Sequence, residues 1–180
     1  MESQRVLVAF SSRSGSTAEA AELIASSLRA AGLAVDCGPA SEVADLAAYD
    51  AVVLGSGVFV PSRASDGGGF LARHRIALRS LPVWLFCVGP IGGGHAAGDG
   101  TAAASPADCP ATTVGRAVGA RGVATFGTLG MPDGDDPVAA IHPADARDVR
   151  SWAQGIADAL RPTVPPTHRR HRCQGVPLAS

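Results

Sequence analysis

The chain contains no lysine; all 15 of its basic residues are arginine. A Walker-type phosphate loop, a pyridoxal Schiff base and a kinase-type strand lysine each need that ammonium group, so these three chemistries are excluded. Aromatic residues are scarce as well: five Phe, two Trp and one Tyr in 180 residues. The four cysteines, Cys37, Cys87, Cys109 and Cys173, form no CxxC pair and no metal-ligand spacing. Cys37 and Cys87 end apolar runs and read as small buried hydrophobes. His168, His171 and Cys173 cluster near the end of the chain without a fourth ligand, so no metal is expected. No uncharged apolar stretch approaches the ~20 residues of a membrane span, and no integral membrane segment is expected. The opening MESQRVLVAF carries an acid early and runs straight into a strand-like segment, unlike a secretory leader. A cytoplasmic location is the expectation.

Charge is also unevenly spread. Residues 1–160 hold 11 arginines against 16 acids, whereas residues 161–180 hold four arginines and no acid. That tail, RPTVPPTHRRHRCQGVPLAS, has prolines and no hydrophobic period, so it reads as a basic flexible end and not as a nucleic-acid-binding element. Residues 1–160 are long enough for one domain with a core of its own.

Within that domain, short apolar runs alternate with helical patterns. Arg5 to Phe10 is a continuous apolar run, as expected of a strand covered on both faces, and Leu33 to Cys37, Ala51 to Leu54, Val83 to Val88 and the shorter Gly122 to Phe126 read as further strands. From Ala20, apolar residues recur at Leu23, Ile24, Leu28 and Ala31, with Glu19, Glu22, Ser26 and Arg29 opposite and Gly32 as the stop. The spacing predicts further helices over Phe70–Ser80, despite the preceding Gly67-Gly68-Gly69, over Thr113–Ala120, and over Asp145–Leu160 with Val149, Trp152, Ala153, Ile156 and Leu160 as its buried stripe. Five alternations predict an α/β fold, a doubly wound parallel sheet whose ligand lies beyond the strand carboxyl ends. Gly89–Ala111 and Gly127–Pro143 are Gly-, Ala- and Pro-rich and long for simple connections, either substrate-side loops or disorder.

Three loops follow the relevant strands. Ser12-Arg13-Ser14-Gly15-Ser16-Thr17 joins the first strand to the first helix, where backbone N–H groups and the helix dipole form an anion site. Without lysine a metal-bridged triphosphate is a poor guest, and without GxGxxG a dinucleotide is not indicated; a phosphate monoester fits. The competing reading is a capping box with Ser16 or Thr17 as N-cap, Glu19 standing three residues beyond Ser16. That box would leave Ser11, Ser12 and Ser14 unexplained. The second loop, Gly55 to Pro61, and the third, Val88 to Gly94, offer backbone amides and carbonyls and one aromatic, Phe59. Together the three loops suit a flat ring carrying a phosphate.

VLVAFSSRSGSTAEAAELIA resembles the phosphate-loop segment of flavodoxins, whose pattern [ST]-x-[ST]-G-x-T is met by Ser12 to Thr17. The resemblance continues through YDAVVLGSGVF and FLARHRIALRSLPVWLFCVGP, and more weakly in ARGVATFGTLG and ARDVRSWAQGIADAL. It is similar to the branch containing menaquinone-dependent protoporphyrinogen oxidase, where the second loop tends to read GSAVY and the fourth strand PVWLFSSGP. This resemblance implies a three-layer, five-stranded parallel sheet of order 2-1-3-4-5 and noncovalently bound FMN. By position, the turn of Ser12, Arg13, Ser14, Gly15, Ser16 and Thr17 would hold the phosphate. Ser56, Gly57, Val58 and Phe59, with Gly89, Pro90, Ile91 and Gly92, would hold the ring. Phe59 is the one aromatic in these two ring loops, so stacking is weaker than between Trp and Tyr and looser FMN binding is expected.

The function expected is an FMN-dependent oxidoreductase of the protoporphyrinogen-oxidase or quinone-linked type, acting on a small molecule or with a redox partner such as a quinone or reductase. The alternatives are a flavodoxin-type electron carrier and a flavin-free interaction domain. Carriers concentrate negative charge to steer cationic partners; the net −5 of residues 1–160 steers feebly and favours the enzyme. No side chain in the three loops requires an acid–base role, which leaves His95 and Asp99 as candidates for a proton relay. An exposed sheet edge or helix leaves room for a homodimer.

Overall fold

The computed structural model describes residues 3–11, 15–56, 66–90, 110–128 and 143–161. Five strands, β1 (Arg5–Ser11), β2 (Ala34–Pro39), β3 (Ala51–Ser56), β4 (Val83–Pro90) and β5 (Gly122–Thr128), form one sheet of order β2-β1-β3-β4-β5. Every pairing is parallel, as the crossover helices require. The helices are α1 (Ser16–Ala30), α2 (Asp66–Arg73), α3 (Arg75–Leu78), α4 (Pro110–Val118) and α5 (Pro143–Leu160).

The inner strands β1, β3 and β4 are apolar along most of their length because both faces are covered, whereas the edge strands β2 and β5 are partly exposed; within the inner strands residues sort by parity. Val6, Val8, Ala51, Val53, Trp84, Phe86 and Val88 meet Ile24 and Leu28 of α1 and Val149, Ala153 and Ile156 of α5. Leu7, Ala9, Val52, Leu54, Val83, Leu85 and Cys87 meet Phe70 of α2, Leu78 of α3 and Ala111 of α4. The result is the expected three-layer arrangement, with two helices on one face and three on the other. Among the described residues no helix is long and apolar enough to cross a membrane.

Of the stripes expected on α1 and α5, Ile24, Leu28, Val149, Ala153, Ile156 and Leu160 are buried and Leu23, Ala31 and Trp152 are partly buried against the same core; Glu19, Glu22, Ser26 and Arg29 are exposed as anticipated. The other strands end one or two residues later than expected and α5 begins two residues earlier; three elements differ further. β2 starts one residue later than expected and runs on to Pro39. α4 begins at Pro110 and not near Thr113. The single helix expected over Phe70–Ser80 begins instead at Asp66, includes all three glycines, and breaks at His74, where φ is −101° and ψ 14°. Backbone bonds His74 N–H to Phe70 C=O and Leu78 N–H to His74 C=O, both 3.0 Å, carry the chain across that break. Each glycine costs about 1 kcal/mol against alanine in a helix. Full burial of the Phe70 side chain against the sheet supplies the compensating term.

Candidate functional site

In the order 2-1-3-4-5, the chain leaves β1 toward β2 on one side and reaches β3 on the other. The switch point therefore lies between the carboxyl ends of β1 and β3, where an open α/β sheet forms a crevice. Phe10 pairs with Gly55 and Ser11 with Ser56 at this edge, and Ser56 pairs in turn with Cys87 of β4. The ends of β1, β3 and β4, each followed by one of the three loops, are thus neighbours.

Gly15 is the N-cap of α1, at φ +86°, a left-handed conformation that only glycine adopts without strain. This corrects the capping-box reading: Ser16 and Thr17 are the first helical residues, not caps. The first intrahelical bond runs from Glu19 N–H to Gly15 C=O at 2.9 Å. The N–H groups ahead of Glu19 have no carbonyl one turn behind them inside the helix. Ser16 is 3 % exposed, Thr17 2 % and Ser56 3 %, so three hydroxyls are buried at the switch point. The site is a set of neutral donors without a lysine, suited to an anion.

Of the residues expected from sequence, Gly15, Ser16, Thr17, Ser56, Gly89 and Pro90 are described, the last two at the end of β4. Ser12, Arg13, Ser14, Gly57, Val58, Phe59, Ile91, Gly92, His95 and Asp99 lie outside the described residues. So do most of the segments 89–111 and 127–143, the tail beyond Arg161, and with it His168, His171 and Cys173.

Sequence reasoning missed the segment after β2. Ala40 N–H donates to the Phe10 carbonyl at 2.8 Å, and the Arg73 Nη2 donates to the Ala40 carbonyl at 3.0 Å. Arg73 and the nearly buried His74 thereby reach the end of β1, a link with no motif to announce it. A second concavity, a groove of about 550 Å³, is lined by Trp84, Arg121, Gly122, Asp148 and Trp152 among others. Trp84 pairs with Gly122 at the amino ends of β4 and β5, so this groove lies at the opposite end of the sheet from the hydroxyl turn.

Residues 7–106 match the family described as the flavodoxin domain. Among solved structures, oxidised flavodoxin 2 from Bacillus cereus is similar at 24 % identity and a TM-score of 0.57, over 86 % of this chain and 99 % of that one. A flavodoxin from the domain Archaea is similar at 15 % identity and a TM-score of 0.58, over 87 % and 98 %. Rubredoxin oxygen:oxidoreductase from Desulfovibrio gigas is similar at 17 % identity and a TM-score of 0.59, over 86 % of this chain and 35 % of that one. No curated protein sequence matches. The structural likenesses establish the fold, and the family match spans more than half of the sequence: the chain belongs to the flavodoxin-domain family.

Proposed function

We propose that this protein binds FMN noncovalently at the carboxyl ends of β1, β3 and β4 and works as an FMN-dependent oxidoreductase. The observation that carries the reading is the meeting of the α1 N-terminus, which has Gly15 and no side-chain cap, with the buried hydroxyl residues Ser16, Thr17 and Ser56 at the switch point. A phosphate monoester fits this donor set, because amides and hydroxyls surround it without the fixed cation that a triphosphate demands. Gly15, Ser16 and Thr17, with Ser12 and Ser14 by their place in the family pattern, would hold the phosphate. Ser56 to Phe59 and Gly89 to Gly92 would flank the ring. Bound FMN supplies one- and two-electron redox chemistry; the chain's residues bind it, orient it and limit its access to water.

The resemblance to the protoporphyrinogen-oxidase branch makes porphyrinogens and quinones the first substrates to test. A second reading, electron carriage, draws support from the described site residues, which are Gly, Ser, Thr and Pro and offer no titratable group for proton transfer.

FMN and riboflavin titrations, followed by flavin fluorescence and by absorbance after desalting, test the cofactor. FMN is expected to survive desalting and riboflavin to bind far more weakly. Thr17→Ala should weaken FMN about 10- to 100-fold, the worth of a hydrogen bond to a charged group, and leave riboflavin affinity nearly unchanged. Absence of FMN binding at micromolar concentration would overturn both the oxidoreductase and the carrier readings.

A further inference from the structure

The segment that follows β2 is bound from two sides. From one side, Ala40, which is fully buried, donates its N–H to the Phe10 carbonyl at 2.8 Å, two residues before the hydroxyl-rich turn begins. From the other, Arg73 at the end of α2 donates through Nη2 to the carbonyls of Ala40 at 3.0 Å and Val43 at 3.4 Å. The same guanidinium donates through Nε to Nε2 of His74 at 3.2 Å. His74 occupies the break between α2 and α3, is 8 % exposed, and rests against the Phe70 ring at a centroid distance of 4.7 Å.

Nε2 of His74 also stands 3.4 Å from the Val43 carbonyl. Its two neighbours make opposite demands on one nitrogen. To accept from Arg73, Nε2 must present its lone pair, which a neutral ring protonated at Nδ1 does. To serve the Val43 carbonyl it must carry hydrogen, and that N–H then confronts the Arg73 Nε–H. Protonation of the ring forces the second arrangement and adds repulsion between two cations.

We infer that His74 and Arg73 are positioning residues for the hydroxyl turn: neutral His74 holds Arg73 on Ala40 and so braces the end of β1, whereas protonated His74 takes the Val43 carbonyl and releases Arg73. Among the described residues, the charged groups facing the imidazole are Arg73, and Asp45 from the segment after β2. Burial first, and then the charge of Arg73, favour the neutral ring and push its pKa below the ordinary 6.5, against the opposing pull of the Val43 carbonyl and Asp45. The brace is therefore complete at neutral pH and is lost as pH falls below that ordinary value. Its consequence for FMN rests on the function proposed above; the exchange of partners at His74 does not.

NMR of the flavin-free chain tests the exchange directly. At pH 7.5 the His74 ring is expected as the Nδ1–H tautomer, with the Ala40 amide protected from solvent exchange; both should change together along one titration below pH 6.5. FMN affinity is then compared between the wild-type chain and His74→Gln, which keeps an acceptor for Arg73 but does not titrate. The FMN phosphate has its own second ionisation near pH 6. The difference between the two proteins is therefore the readout: from pH 7.5 to 5.5 wild type should lose about fivefold more affinity than His74→Gln, the worth of one net hydrogen bond. Identical pH profiles, or Ala40 protection indifferent to His74 protonation, would overturn the inference and leave FMN binding untouched. Failure to bind FMN at any pH would instead sink the function proposed above, with the Ala40 titration still deciding the brace. Should His74→Gln not fold, the wild-type titration decides alone.

Discussion

Position 55, one residue before the end of β3, is held by glycine because the ring of Phe86, one strand away, lies across it. A Cβ at that position would overlap the ring Cζ and stand 2.5 Å from Cε1 and Cε2. Phe86 is fully buried and packs edge-on against Trp152 at 6.2 Å, so the ring has nowhere to retreat. Gly55→Ala should destabilise the fold by about 1–3 kcal/mol, as overpacking of a tight core does, with a lower melting temperature in calorimetry. At Gly15 the reason for glycine is different: nothing stands within 4 Å of the missing Cβ, but φ is +86°. Gly15→Ala should cost roughly 1 kcal/mol through backbone strain and weaken FMN more than Gly55→Ala does, a contrast that flavin titration measures. Cys37 is also set by its surroundings, its thiol pushed up to about 12 by burial and then by the Glu22 carboxylate. At pH 8 almost no thiolate is present, so peptide mapping after brief iodoacetamide treatment should find Cys37 essentially unmodified. The sequence reading of Cys37 and Cys87 as small hydrophobes holds for Cys87, which is buried, and only partly for Cys37, which is half-buried.

At the scale of elements, α1 shows how far a repeating pattern carries. Its core face, Ala20, Ala21, Ile24, Ala25 and Leu28, is fully buried, and Ser26 faces solvent. Ile24→Ala should cost about 2–5 kcal/mol, the range for deleting a buried aliphatic side chain, and Ser26→Ala less than about 0.5 kcal/mol. Urea denaturation with unchanged slopes would check both. The α1 and α5 stripes were legible because each helix buries one face and has a separate acidic or basic one. The start of α2 was not, since Gly67-Gly68-Gly69 opposes helix locally and is overridden by Phe70, whose burial depends on strands distant in sequence. In the hydroxyl turn the place of Gly15, Ser16 and Thr17 at the junction of β1 and α1 was legible, because an apolar strand run and a helical period meet there in the sequence. The Arg73 link to Ala40 was not, because it joins residues 33 apart through a backbone carbonyl, which leaves no mark on residue type.

For the whole molecule, what separates an enzyme acting on a small substrate from a carrier docking on a protein is the long-range field, not any one contact. Residues 1–160 carry a net −5 and residues 161–180 bring the chain back to −1, so a distant cationic partner meets little net attraction. Charges farther apart than about 10 Å are screened at 0.1 M salt, and only a concentrated patch would survive as a steering field. Weak steering predicts that kcat/KM for a neutral quinone with the FMN-loaded protein changes by less than about twofold between 10 and 300 mM NaCl, since neither reactant relies on Coulomb attraction. The same protein should reduce a cationic protein acceptor slowly at all salt concentrations. A rate to that acceptor that is fast at low salt and falls by roughly an order of magnitude or more across the range would locate a charge patch and favour the carrier. Stopped-flow measurement of flavin reoxidation with both acceptors separates the two readings on one sample, and because the salt series changes no residue, a loss of rate cannot be mistaken for a loss of fold.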